Sequence, residues 1–234
     1  ESPAELVGTT DRVCSRVDLC RLDTDGQGPD KVAFAATWDY VLSSDEIISL
    51  WVGRTYFQLL EAAVVRLDAS ASANRGSTTI TTDDGSMQWS ISTGSAPSVY
   101  EGRLSWNLDP GCVQGSGGST HTFGQYYTNA SWIHWRTSDS GWRTLFRGDQ
   151  GLATIVQSGA MDLGFYCNRT GGFRDTGYDL RFGHWWFLVV TSVGASASPH
   201  EGTSSYYVGN EERPPELVGT TDRFCSGVDH YPLY

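Results

Sequence analysis

Three carboxylates fall within eight residues in Asp23-Thr24-Asp25-Gly26-Gln27-Gly28-Pro29-Asp30, arranged around glycines that let the chain turn tightly. Oxygen ligands from Asp23, Asp25 and Asp30 in such a turn suit Ca²⁺; a solvated acidic turn accounts for the same residues without an ion. A second chemistry is offered by aromatic side chains. Trp132, Trp135, Trp142, Trp185 and Trp186 crowd the second half of the chain, and an exposed indole face binds the apolar side of a pyranose ring. Neighbours along a strand point to opposite faces, so one of Trp185 and Trp186 is expected to look outward. Trp142 and Trp185, with Asp149 and Asp175 expected in loops, form a glycan-binding set. Core or inter-sheet packing is nevertheless the preferred use of most of the tryptophans, and turn formation accounts equally for the acids.

Nucleophilic and metal chemistry find less support. His121, His134, His184, His200 and His230 show no pair at metal-ligand spacing, and His134 and His184, beside tryptophans, are expected as hydrogen-bonded histidines of a β-sandwich. There is no Gly-x-Ser-x-Gly elbow. Asp45-Glu46 and Glu211-Glu212 are adjacent pairs that diverge if they lie on strands, and Glu101 stands alone. The cysteines are Cys14, Cys20, Cys112, Cys167 and Cys225. In an oxidising compartment an odd count leaves one thiol to pair with a neighbouring module or chain. Two sequons, at Asn129 and Asn168, fit that compartment and predict N-linked glycans; a cytosolic protein with free thiols is the alternative.

The elements that must position these residues follow from composition. Gly, Ser and Thr are abundant and only 18% of residues are charged, which describes many short strands joined by turns. The net charge is −11, with Lys31 the single lysine; an acidic chain without a basic stripe disfavours nucleic acid and anionic membrane surfaces. The longest apolar run, residues 185–190, is too short to span a bilayer and predicts a buried strand. The chain opens at Glu1 without a charged and apolar leader, so a signal peptide is expected to be removed or upstream.

Strands are expected over residues 32–41, 78–82, 87–92, 103–108, 131–135, 142–147, 152–157, 163–166, 183–191 and 205–209, with a hairpin turn at Asp83-Asp84-Gly85-Ser86. Residues 44–67 are ambiguous: Ser44-Asp45-Glu46 could cap a helix, but Trp51-Val52-Gly53 interrupts its periodicity, so strands are predicted. Residues 111–119 predict a flexible loop.

The strongest signal is self-similarity. Residues 3–18 recur as 214–229 with thirteen of sixteen positions identical, 211 residues apart. Either modules follow one another in tandem or paired linkers flank one domain, and the tandem array is preferred. The expected division is a cysteine-bearing connector with a calcium loop (1–30), a sandwich (31–213), and the start of the next unit's connector (214–234).

Three resemblances add to this. Thr9-Thr10-Asp11-Arg12-Val13-Cys14 resembles the ends of cysteine-rich repeats of the tumour-necrosis-factor-receptor or epidermal-growth-factor type, over about fifteen residues. The acidic loop is similar to a thrombospondin type-3 calcium repeat; it is too short for the EF-hand pattern and lacks the third early Asp and the late Glu. The succession Trp132-Ile133-His134-Trp135, Trp142-Arg143-Thr144-Leu145-Phe146, Leu163-Gly164-Phe165-Tyr166, Trp185-Trp186 and Tyr206-Tyr207-Val208-Gly209 resembles the laminin-G-like, concanavalin-A-like jelly roll. That likeness covers residues 125–213, and 31–124 only by analogy. It implies an all-β antiparallel sandwich. Such sandwiches include hydrolases, lectins and adhesive modules. The Glu, Asp, Glu series those hydrolases carry on one strand does not occur here. The expectation is therefore a non-catalytic structural or adhesive module of an extracellular fibre, coat or appendage, partnered by neighbouring modules or copies of itself. A lectin-like module, with or without Ca²⁺, is the main competitor, and a glycoside hydrolase or lyase comes third.

Overall fold

The computed structural model describes residues 26–27, 30–53, 56–70, 79–81, 88–91, 96–108, 113–116, 121–122, 125–135, 142–147, 153–157, 161–166, 172–195, 201–222 and 229–230. The five cysteines, Asp23, Asp25, Asp149 and Asn168 lie outside them.

The protein is all-β, built from antiparallel sheets with one short parallel exception. The strands are β1 (Gly26–Gln27), β2 (Lys31–Trp38), β3 (Val65–Asp68), β4 (Thr79–Thr81), β5 (Gln88–Ile91), β6 (Ser98–Tyr100), β7 (Arg103–Asn107), β8 (Val113–Ser116), β9 (His121–Thr122), β10 (Tyr126–His134), β11 (Trp142–Arg147), β12 (Ala153–Gln157), β13 (Asp162–Tyr166), β14 (Phe173–Asp179), β15 (Trp185–Gly194), β16 (Gly202–Gly209), β17 (Glu216–Thr221) and β18 (Asp229–His230). The larger sheet runs β17-β16-β15-β10-β2-β7-β6, with β3 also on β2; the smaller runs β1-β11-β12-β13-β14, β1 being parallel to β11.

The core lies between these two sheets. Trp186, Leu188 and Val190 of β15, with Ile133, Tyr127, Tyr206 and Val208, meet Leu145, Leu163 and Phe165 of the smaller sheet. The intervening residues Trp185, Phe187 and Val189 pack on the opposite face in a second apolar cluster. Residues 185–190 are thus buried on both faces, and a strand so placed is apolar throughout instead of alternating.

What covers the second face corrects the sequence expectation for residues 44–67. Two helices stand there, α1 (Ser44–Val52) and α2 (Tyr56–Glu61), before β3. Ser43 is the N-cap of α1 in a reciprocal capping box: Glu46 N donates to Ser43 Oγ (3.3 Å) and Ser43 N donates to Glu46 Oε2 (2.7 Å). Gly53, which broke the periodicity, is the left-handed C-cap at φ 74°, so the interruption was a helix end. Ile47 and Leu50 of α1 and Leu60 of α2 pack over Phe34, Trp38, Trp132 and Phe187.

Of the expected hairpin, the two strands pair antiparallel, Ile80 opposite Trp89, and the turn Asp83-Asp84-Gly85-Ser86 lies outside the described residues. Within the predicted loop 111–119, Val113–Ser116 is instead a strand paired with β5, because the edge of β5 not taken by β4 offers ladder bonds that Gly-Ser composition does not forbid. Residues 216–221, expected in a connector, form the edge strand β17 on β16. No helix among the described residues is long and apolar enough to cross a membrane.

Candidate functional site

Among the described residues a surface cleft of about 750 Å³ lies between two turns, at residues 181–184 and 210–213. Asn210 shapes the second turn: its Oδ1 accepts from Glu212 N (2.9 Å) and Arg213 N (2.8 Å), and its carbonyl accepts from the Trp51 indole of α1 (2.8 Å). Glu211, Glu212 and Arg213 consequently line one cleft, facing Tyr178, Asp179, Arg181 and His184. The expectation that Glu211 and Glu212 diverge on a strand is corrected, since they occupy a turn. The other adjacent pair, Asp45 and Glu46, lies in the first turn of α1, where the acids suit the helix N-terminus.

Beside the cleft, the larger sheet ends in a cluster of polar and aromatic side chains. Arg103 of β7 holds its guanidinium 3.6 Å from the centroid of the Trp132 ring, and its Nε donates to Glu211 Oε1 at 3.1 Å. Burial pulls the Arg103 pKa down from its usual value and Glu211 opposes that shift. Stacking and a carboxylate partner together hold the planar group in one orientation. Deeper lies His134, 1% exposed, with Nε2 3.4 Å from Glu101 Oε2 and its ring edge-on to Tyr100 and Trp185. Burial lowers its pKa; Glu101 and Asp30 act against that shift, while His184 and Lys31 add to it. Glu101 and Gly102 form the two-residue turn between β6 and β7, at φ 45° and 81°, the pattern of a type I′ hairpin. Glu is disfavoured there compared with Asn or Asp, and the turn brings its carboxylate beside His134.

The residues singled out from sequence fare unevenly. Trp185 is 3% exposed, under Tyr100, His134 and Arg103, and offers no free face for a sugar. Trp186, on the other face, is buried as well; contrary to the sequence expectation, neither of the pair looks outward, because Tyr100, His134 and Arg103 close the side of Trp185 and the inter-sheet core that of Trp186. Asp175, expected in a loop, lies on β14, exposed, with Oδ1 accepting from Gly177 N (2.7 Å), which ties it to a local kink. Trp142 stands on β11 opposite Gln157. Asp30 is half-buried beside β2, and its intended co-ligands are among the residues not described. Among the described residues no group of three His, Cys, Asp or Glu side chains is placed to hold a metal ion.

The sequon at Asn129 is corrected too. Asn129 is 3% exposed in the middle of β10, with Oδ1 accepting from Thr37 Oγ1 at 2.9 Å. A glycan has no room there in the folded domain. Glu101, Arg103 and Glu211 were missed as a group, because 110 residues separate the first from the last and no local spacing announces the contact. Comparison with family models, with curated proteins and with solved structures found no match.

Proposed function

We propose that the chain is a non-catalytic structural or adhesive module of an extracellular fibre, coat or appendage, joined to neighbouring modules or copies of itself. One observation carries this reading. The stretch shared by the two ends is, in its second copy, an edge strand of the sandwich, so the repeat of 211 residues and the folded body are offset by one strand. In a tandem array each sandwich then takes its last strand from the sequence that opens the following unit, and short connectors tie the bodies together. A laminin-G-like or concanavalin-A-like jelly roll, disulfides among Cys14, Cys20, Cys112, Cys167 and Cys225, and a glycan on Asn168 belong to the same proposal, as traits of a module built for an oxidising exterior. Electron microscopy of the native assembly is the test. Filaments or stacked bodies with a regular spacing are expected, and isolated monomers would overturn the reading.

The cleft favours a second role, a lectin-like one. Its Arg181, Arg213, Glu211, Glu212 and Asp179 offer donors and acceptors suited to sugar hydroxyls, and a calcium loop at Asp23, Asp25 and Asp30 would add ion dependence. A glycan array probed with the full chain, with and without a chelator, decides it; retention of no glycan leaves the structural role alone.

A further inference from the structure

Strand β17 occupies a slot with specific demands. It pairs antiparallel with β16, Thr221 opposite Ser204 and Glu216 opposite Val208, with a bulge at Val218. Val218 packs against the inter-sheet core. Gly219 passes so close to β14 that a Cβ would stand 2.7 Å from both Cβ and the carbonyl oxygen of Thr176; only glycine fits without moving backbone. Thr221 is 4% exposed, and Asp222 reaches Arg174 Nε at 3.5 Å.

Residues 5–11 repeat 216–222 without a single change. Val7, Gly8, Thr10 and Asp11 therefore meet every one of these demands at the required spacing. A connector exposed to solvent needs neither a glycine at the close approach nor a threonine in the buried position. The one difference at the strand's entry is Ala4 in place of Pro215, a smaller residue where Pro215 abuts Gly209. Within this chain the slot is already filled by β17, so a second strand of the same sequence has its matching slot on another body.

We propose that the slot between β16 and β14 accepts residues 5–11 of a second copy of this chain in place of its own Glu216–Thr221, so that copies join by exchanging an edge strand. This is β-strand addition with a self-encoded donor. Its own strand follows β16 through a turn of six residues and has an effective concentration on the order of millimolar. Exchange therefore prevails when that strand is displaced or the chains are crowded. The inference is separate from the array reading, in which residues 5–11 would complete a preceding body of the same polypeptide, since it needs only the slot and the identity of the two segments.

The test is a cycle of variants in the full chain, followed by light scattering after size exclusion and by urea unfolding. Gly8→Val alone is expected to leave mass and midpoint unchanged. Gly219→Val bars the chain's own strand, and at least a doubling of mass with retained near-ultraviolet circular dichroism is expected. Gly8→Val with Gly219→Val is expected to lose the oligomer and to unfold at lower urea. A monomeric Gly219→Val chain overturns exchange between copies, even if its own residues 5–11 fill the slot. Persistence of the oligomer in the double variant overturns it equally. Should Gly219→Val prevent folding, a peptide of residues 3–12 present during refolding is expected to restore the dichroism and its Gly8→Val version to fail; equal failure of both sinks the proposal. Microscopy of the native assembly judges the array separately, so either idea can fall alone.

Discussion

The two faces of the larger sheet are supplied by the same strands and are closed in different ways. One face meets a second sheet through Trp186, Leu188, Val190, Tyr127 and Tyr206. The other meets two helices through Trp185, Phe187, Val189 and Trp132, and one end of it is finished by Arg103, His134 and Glu101. Sheet-on-sheet packing buries a face with side chains of matching period. A helical cover is shorter and rounder, and polar groups close what it leaves. The helix-covered face carries a histidine, His134, whose pKa burial lowers, whereas the inter-sheet face carries phenols, Tyr127 and Tyr206, whose pKa burial raises.

That contrast can be broken by mutation. Trp186→Ala empties a large volume from the inter-sheet core and is expected to cost about 3–5 kcal/mol, read as a fall in the urea midpoint. The next effect is alkaline. Burial raises the phenol pKa of Tyr206 first of all, Tyr127 adding to the rise and Thr221 opposing it, and burial likewise raises that of Tyr127. Their folded values lie above the unfolded one, so their contribution is complete below about pH 10 and is lost as pH rises through the folded values. Replacing both by Phe is expected to flatten the alkaline loss of stability; an unchanged slope would contradict it.

On the helix-covered face, Ser43→Ala removes the capping box of α1 and is expected to cost about 1 kcal/mol, with faster amide exchange confined to α1 and α2. The smallest effect is acidic. His134 has a folded pKa below its unfolded value of about 6.5, so the unfolded chain binds the extra proton between the two values. Its contribution is present above pH 6.5 and drains as pH falls towards the folded value. His134→Gln is expected to remove that part of the slope. Glu101→Gln is expected to steepen it, because the carboxylate now opposes the downward shift. Urea titrations at several pH values distinguish the three chains.

Local patterns told much of this fold. Strand β11 matches the predicted residues 142–147, and β4 pairs antiparallel with β5 as their alternation predicts, since such alternation is short-range. The misses share one cause. Gly53 ended a helix where it was taken to disrupt one, and residues 216–221 lacked strand periodicity because an edge strand with a bulge at Val218 alternates poorly. The candidate site was hardly legible: Trp185 is covered by Tyr100, His134 and Arg103, residues tens of positions away in the chain, and Glu101 and His134 approach only through the pairing of separate strands.

Sequence by itself determined that the chain is β-rich, where several of its strands lie, that residues 185–190 are buried, and that one segment occurs twice. These depend on composition, on periods of a few residues and on identity. Tertiary structure alone decided which face each tryptophan takes, that Asn129 is sealed inside, and that the repeated segment is a strand in a fitted slot. Each of those depends on partners tens of residues away, and the energy of such contacts leaves no mark on either partner's immediate neighbours in the chain.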